Sequence, residues 1–193
     1  MEFIKKNFAI LLAFALPVVL IAVVALSTYL PSRFLSTSYN FLYSACTDGV
    51  NYYSYNCDRY LQQRYQVQEG KLAILPLDPK QDLNSNSVPD INEKYYERLF
   101  LHDTQKNESR EITQDEAKAL TLSGLLTSPD GVIVSGSYSG GGDFFPFGGR
   151  SSTYGYYLTH GKAKSKLNLI NNSDQYYYGN NFQFVGWVLP GRN

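Results

Sequence analysis

The sequence predicts a mostly β protein: an N-terminal transmembrane helix followed by an antiparallel β-meander ectodomain that carries one or two short helices. Three observations predict it. The nineteen residues Phe8–Leu26 contain no charged and no amide side chain. Seventeen tyrosines and eleven phenylalanines suit pleated surfaces, and fifteen glycines suit tight turns. Short apolar runs are punctuated by turn clusters such as Asp48-Gly49 and Ser128-Pro129-Asp130-Gly131.

The apolar run comes first. As a helix it is about 28 Å long at ~1.5 Å per residue, close to the roughly 30 Å hydrocarbon core of a bilayer. Pro17 removes one internal hydrogen bond, which membrane helices tolerate. Lys5 and Lys6 outnumber Glu2 before the run, and Arg33 stands alone beyond it. The positive-inside rule therefore places residues 1–7 in the cytoplasm, residues 8–30 in the lipid, and the remainder outside a plasma (inner) membrane. The alternative is a secretory signal cut after Val23-Val24-Ala25, which would release a secreted protein. The basic start and proline-containing apolar helix resemble type IV pilins in part. The glutamate that pilins carry near the start of that helix, and a glycine before Phe8, are both missing.

Residues 31–193 are enough for one domain. With Lys5, Lys6 and Glu2 set aside, this part carries fifteen Lys or Arg against sixteen Asp or Glu. That balance gives no basic surface of the kind nucleic acid requires. Both cysteines, Cys46 and Cys57, lie in the exported part and are expected to pair as a disulfide.

Residues 31–45 mix apolar and polar side chains without a period and are expected to be a juxtamembrane linker that begins to join the core of the domain spanning 46–193. Tyr52, Tyr53 and Tyr55 would cover the small loop closed by the cysteines. Arg59–Gln68 is expected as a short helix or strand ended by Gly70, and Leu72–Leu77 as a strand. Glu93–Arg98 would add a helical turn before a hairpin of Leu99–His102 and Arg110–Thr113. Thr113-Gln114-Asp115-Glu116 has the capping-box form and predicts a helix over Gln114–Leu120. The Ser128–Gly131 turn leads into a strand at Val132–Val134. Gly136–Gly155 is a glycine-rich loop whose Phe144, Phe145 and Phe147 either pack on the sheet or meet a protein or glycan partner. The last strand is Phe182–Leu189, with a bulge at Gly186 and Trp187 in the core.

One stretch has the spacing of a metal site. From Asp82 to Glu93, positions 1, 3, 5, 7, 9 and 12 are Asp82, Asn84, Asn86, Val88, Asp90 and Glu93. A twelve-residue calcium loop takes oxygens from these positions, position 7 through its backbone carbonyl. With Pro89, the pattern resembles the acidic loops of thrombospondin type 3 repeats, Asp-x-Asp-x-Asp-Gly-x-Pro-Asp-x-x-Glu. The resemblance implies Ca²⁺ and no activity. Ser87 replaces the usual glycine, and two asparagines replace aspartates, so three carboxylates remain and binding would be weak.

The Leu99–Thr113 hairpin followed by Ser128-Pro129-Asp130-Gly131, with a second set at Tyr156–Ile170 and Phe182–Leu189, resembles blades of Ser-Pro-Asp-Gly β-propellers. The resemblance implies propeller-like units over residues 99–189, too few to close a propeller. No catalytic constellation emerges. The nucleophile elbow is missing, and His102 and His160 lie 58 residues apart. His102-Asp103 with Ser128 would require strand neighbours to share a face. The sequence therefore predicts a non-catalytic surface module, with an accessory subunit of a membrane complex and a hydrolase as the alternatives.

Overall fold

The computed structural model describes residues 6–33, 35–47, 57–76, 78–82, 89, 96–139, 153–169 and 182–190. The apolar run is a helix, α1 (Phe8–Arg33), which passes unbroken through Pro17 and Pro31 and ends three residues beyond the expected boundary at Leu30. A proline removes one backbone bond without stopping a helix whose flanks favour it. Its large apolar side chains, from Phe8 to Leu26, are 42% to 76% exposed, so this span contributes nothing to a core.

The rest is antiparallel sheet with two short helices among the described residues, the class that the sequence predicts. A five-stranded sheet forms the middle layer. It contains β1 (Phe41–Thr47), β4 (Tyr96–Asp103), β5 (Glu108–Ile112), β6 (Thr121–Ser123) and β10 (Phe182–Leu189), in the order β5-β4-β1-β10-β6. The expected linker over residues 31–45 is corrected here: it holds the end of α1 and most of β1, the central strand. No period shows because Phe41 to Cys46 are all buried, with apolar layers on both sides.

Alternation along the strands makes two cores. Phe41, Tyr43, Phe100, Phe182 and Trp187 face one side. They meet Val134, Tyr156 and Leu158 of a three-stranded sheet formed by β7 (Ile133–Ser139), β8 (Thr153–His160) and β9 (Ala163–Lys166). The rings interlock: Tyr43 stacks on Phe100 at 5.1 Å and on Phe182 at 5.0 Å, and Trp187 meets Phe41 edge-on at 5.6 Å. The other face offers Leu42, Cys46, Leu99, Leu122 and Val185 to Tyr60 and Leu61 of α2 (Asp58–Arg64) and to the hairpin β2 (Tyr65–Gln68) and β3 (Lys71–Ile74). Ala117 of α3 (Gln114–Ala119) completes this core.

Local chemistry accounts for the connections. Glu69 and Gly70 take φ of 51° and 76°, the left-handed pair that a two-residue hairpin turn needs. Thr113 Oγ1 accepts from Glu116 N at 3.2 Å while Glu116 Oε2 accepts from Thr113 N at 2.9 Å, completing the expected capping box. Lys71 Nζ donates to the carbonyls of Ala119 and Leu120, at 3.1 Å each, where α3 ends. Leu42 pairs with Gly186 and Tyr43 with Phe184, so Val185 is the extra residue of the expected bulge. That bulge turns Val185 to one core and keeps Trp187 in the other. Glycine is required at 186 because a Cβ there would lie 2.7 Å from the Ser123 carbonyl oxygen.

Other expectations shift. Arg59–Gln68 is divided, helix to Arg64 and strand from Tyr65. Tyr96–Arg98 are strand rather than helical turn, since β4 must reach the level of Thr47. The strand expected over Leu72–Leu77 is β3, which begins at Lys71 and ends at Ile74, and Leu77 lies outside the described residues. The pieces of each propeller-like unit fall in different sheets: β4 and β5 in the five-stranded sheet with β7 in the other, then β8 and β9 in the three-stranded sheet with β10 in the five-stranded one.

Candidate functional site

The most elaborate polar arrangement among the described residues lies where the chain leaves α1. Gly131, at φ 86°, closes a turn in which its N–H donates to Ser128 O at 2.9 Å. Val132 N donates to Ser128 Oγ at 2.8 Å. Locked in this way, the turn aims Asp130 at the segment between α1 and β1. Thr37 Oγ1 lies 2.8 and 2.7 Å from the two carboxylate oxygens, Ser128 Oγ lies 2.5 Å from Oδ1, and Ser38 N donates to Oδ2 at 3.3 Å. Burial pushes the Asp130 carboxyl up, but the hydrogen bonds from Ser128, Thr37 and Ser38 outweigh it and hold the group below its ordinary value.

A second turn grips the same segment from the other side. Thr104, buried between β4 and β5, sits with its Oγ1 2.9 Å from Thr37 O and 3.0 Å from Tyr39 O. Its N–H donates to Asn40 Oδ1 at 3.2 Å. Asp103 shapes this turn by accepting from Gln105 N and Lys106 N, each at 3.0 Å, and these bonds draw its carboxyl below the ordinary range. Val188 N then donates to Asn40 O at 2.8 Å. Residues 37–40 are thus held by turns from both sheets, a strap that ties the segment after α1 to the domain.

The opposite end of β1 carries a second polar cluster. Cys46 and Cys57 form the expected disulfide, with Cα atoms 6.4 Å apart and both residues buried. Across the ladder from Cys46 stands Glu97. Its carboxylate accepts from Tyr60 OH at 2.8 Å and from Arg64 Nε at 3.2 Å, while Arg64 Nη1 reaches the Leu75 carbonyl. Burial first, then the hydrogen bond to Glu97 and its charge, push the Tyr65 phenol far above its usual range. The phenol stays protonated, and the cluster fastens α2 to the sheet beside the disulfide.

His102 is fully buried, with its ring 4.8 Å from that of Phe41 and Nδ1 2.8 Å from Ser109 Oγ. Burial lowers its pKa to about 4, so it is neutral at pH 7. Asp103 is engaged in its turn, and Ser128 is engaged by Asp130 and Val132, so the structure does not assemble these residues as a triad. The Asn107 side chain donates to Lys166 O at 3.0 Å and accepts from Asn168 N at 2.8 Å.

Of the six calcium-loop positions, Asp82 is described and partly buried. Asn84, Asn86, Val88, Asp90 and Glu93 lie outside the described residues, as do Phe144, Phe145 and Phe147. Among the described residues no three His, Cys, Asp or Glu side chains are grouped so as to hold a metal ion. The Thr37–Asp130 contact escaped sequence reasoning because its partners are 93 residues apart. Its one legible trace was the Ser-Pro-Asp-Gly turn. Comparison with protein-family models, with curated proteins and with solved structures found no match.

Proposed function

We propose that this chain is a non-catalytic β module anchored by α1 in a plasma (inner) membrane, with residues 1–7 in the cytoplasm and the domain outside. One observation carries the reading: α1 is apolar and exposed over the span Phe8–Leu26, while the domain completes two cores without it. An apolar span of this length whose side chains are exposed is accommodated by lipid. The disulfide suits an oxidising compartment. The strap at residues 37–40 keeps the linker between the anchor and the domain short.

The topology is tested by fusing a reporter to the C-terminus. An alkaline phosphatase fusion is expected to be active and a green fluorescent protein fusion dark; the reverse pattern overturns the reading. Within it, the register of Asp82, Asn84, Asn86, Val88, Asp90 and Glu93 supports a calcium-stabilised loop on the exported side. Phe144, Phe145 and Phe147 are the contact we assign to a protein or glycan partner. Capture of a partner from native membranes that survives replacement of all three by Ala would instead favour an accessory subunit contacting its neighbour through α1.

A further inference from the structure

We propose that the end of the domain nearest α1 is a second membrane contact, in which Leu125, Leu126 and Ile133 enter the lipid interface and Lys162 and Lys164 meet anionic headgroups. The inference rests on α1 being the anchor. Outside α1, the exposed large hydrophobic residues among those described are Leu125 at 71%, Leu126 at 65% and Ile133 at 37%. They are not scattered. Thr127 bridges to Ile133, which closes the chain from Leu125 to the start of β7 into one loop.

That loop is tied to the exit of the helix. It contains Asp130, which bonds Thr37, four residues after α1 ends at Arg33. Leu126 O accepts from Trp187 Nε1 at 3.1 Å, and Trp187 pairs with Phe41, the first residue of β1. Four residues, at most ~3.5 Å each when extended, separate Thr37, which Asp130 holds, from the end of α1 at Arg33.

The basic residues belong to the same end. Ile133 pairs with Thr159, and β8 then turns through Gly161 and Lys162 into β9. A Cβ on Gly131 would lie 3.3 Å from His160 Nε2, so the turn between β8 and β9 rests on the Asp130 turn. Lys162 and Lys164 are exposed there, Lys164 Nζ donating one bond to Ser137 Oγ at 3.2 Å, and α1 approaches β9 itself. The carboxylates nearby are engaged, Asp130 as described and Asp103 by two backbone amides and by Lys106 Nζ at 3.7 Å, which leaves Glu108 as an exposed acid at this end.

A few large apolar side chains flanked by lysines beside a spanning helix match the chemistry of an anionic lipid interface. They are too few for the core of a stable protein interface. The strap keeps the loop beside the segment that follows α1, since it bonds Asp130 to Thr37 and Ser38.

The test uses the full chain in vesicles of phosphatidylcholine with and without phosphatidylglycerol. An environment-sensitive fluorophore is placed at Leu126→Cys, at Val19→Cys in α1, or at Lys80→Cys, which lies beyond β3 toward the α2 end. Cys46 and Cys57 are bonded to each other and do not take the label. Quenching lipids carry a spin label near the headgroup or near the chain end. The Leu126 probe is expected to be quenched several-fold more than the Lys80 probe, mainly by the shallow label, and more strongly with phosphatidylglycerol present. Lys162→Glu with Lys164→Glu should remove that last increment. Quenching at Val19 with none at Leu126 beyond the Lys80 level overturns the second contact while α1 remains the anchor. Absence of quenching at Val19 as well overturns the anchor and this inference with it. Self-quenching at Leu126 that rises with protein density, without lipid quenching, identifies a second copy as the occupant and also overturns it.

Discussion

Removing the Asp130 carboxylate should loosen the strap by a predictable amount. Thr37 is buried and directs its hydroxyl at both carboxylate oxygens within 2.8 Å. A hydrogen bond to a charged group contributes a net ~1.5–3 kcal/mol. Asp130 is exposed on its outer side, so the low end applies, about 1.5 kcal/mol for the coupling to Thr37. Asp130→Ala also loses the Ser128 and Ser38 contacts, and about 2 kcal/mol in total is expected. For a chain of this size that lowers Tm by roughly 4–8 °C. The assay is urea unfolding of the full chain in detergent micelles, followed by the fluorescence of Trp187, the single tryptophan and a buried one. A cycle of Thr37→Val and Asp130→Ala should return a coupling of about 1.5 kcal/mol. Additivity within about 0.3 kcal/mol would refute the clamp. The folded-state pKa of Asp130 lies below its unfolded value of 3.8, so its contribution is present above that value. The stability gap between the wild type and Asp130→Asn should therefore hold at neutral pH and close only as pH falls below 3.8.

Other perturbations should be equally readable. Reducing the Cys46–Cys57 bond, whose cysteines are 11 residues apart, should cost about 3 kcal/mol on the chain-entropy model, measured as a lower urea midpoint. Gly186→Ala sets a methyl against the Ser123 carbonyl and Val67, and should cost about 1–3 kcal/mol; a neutral result in the same titration would mean that β6 yields freely. His102 binds its proton in the unfolded chain near pH 6.5 and in the folded one only near 4, so stability should fall as pH drops between these values, by roughly 3 kcal/mol. His102→Gln should flatten that slope, and an unchanged slope would assign it to other groups. Chelation should lower the Tm of the full chain, and Asp82→Ala should remove the difference; a melt indifferent to chelator excludes the calcium loop.

Much of the fold was legible wherever one residue type decides a local structure. The capping box at Thr113 and Glu116, the turn at Ser128–Gly131 and the bulge before Trp187 each follow from chemistry within a few residues. The β1 strand was not legible. Both of its faces are buried, so Phe41–Cys46 shows neither the alternation of a surface strand nor the length of a helix. Strand order was also hidden, because β1 inserts between β4 and β10 through contacts that no local pattern records. The same reason hid the strap. Thr37 and Thr104 look like ordinary linker and turn residues until Asp130 and the carbonyls of Thr37 and Tyr39 are brought to them. Burial of Glu97 beside Cys46 depends in turn on α2, whose Arg64 and Tyr60 meet it across 33 and 37 residues of sequence.

The central claim is that α1 remains part of the protein and holds the domain at a membrane. Its most direct test is the intact mass of the chain recovered from a membrane pellet after alkaline extraction of expressing cells. The account predicts a chain that retains Phe8–Leu26 and stays in the pellet. A shortened chain that begins near Leu26 and is released to the supernatant would contradict it.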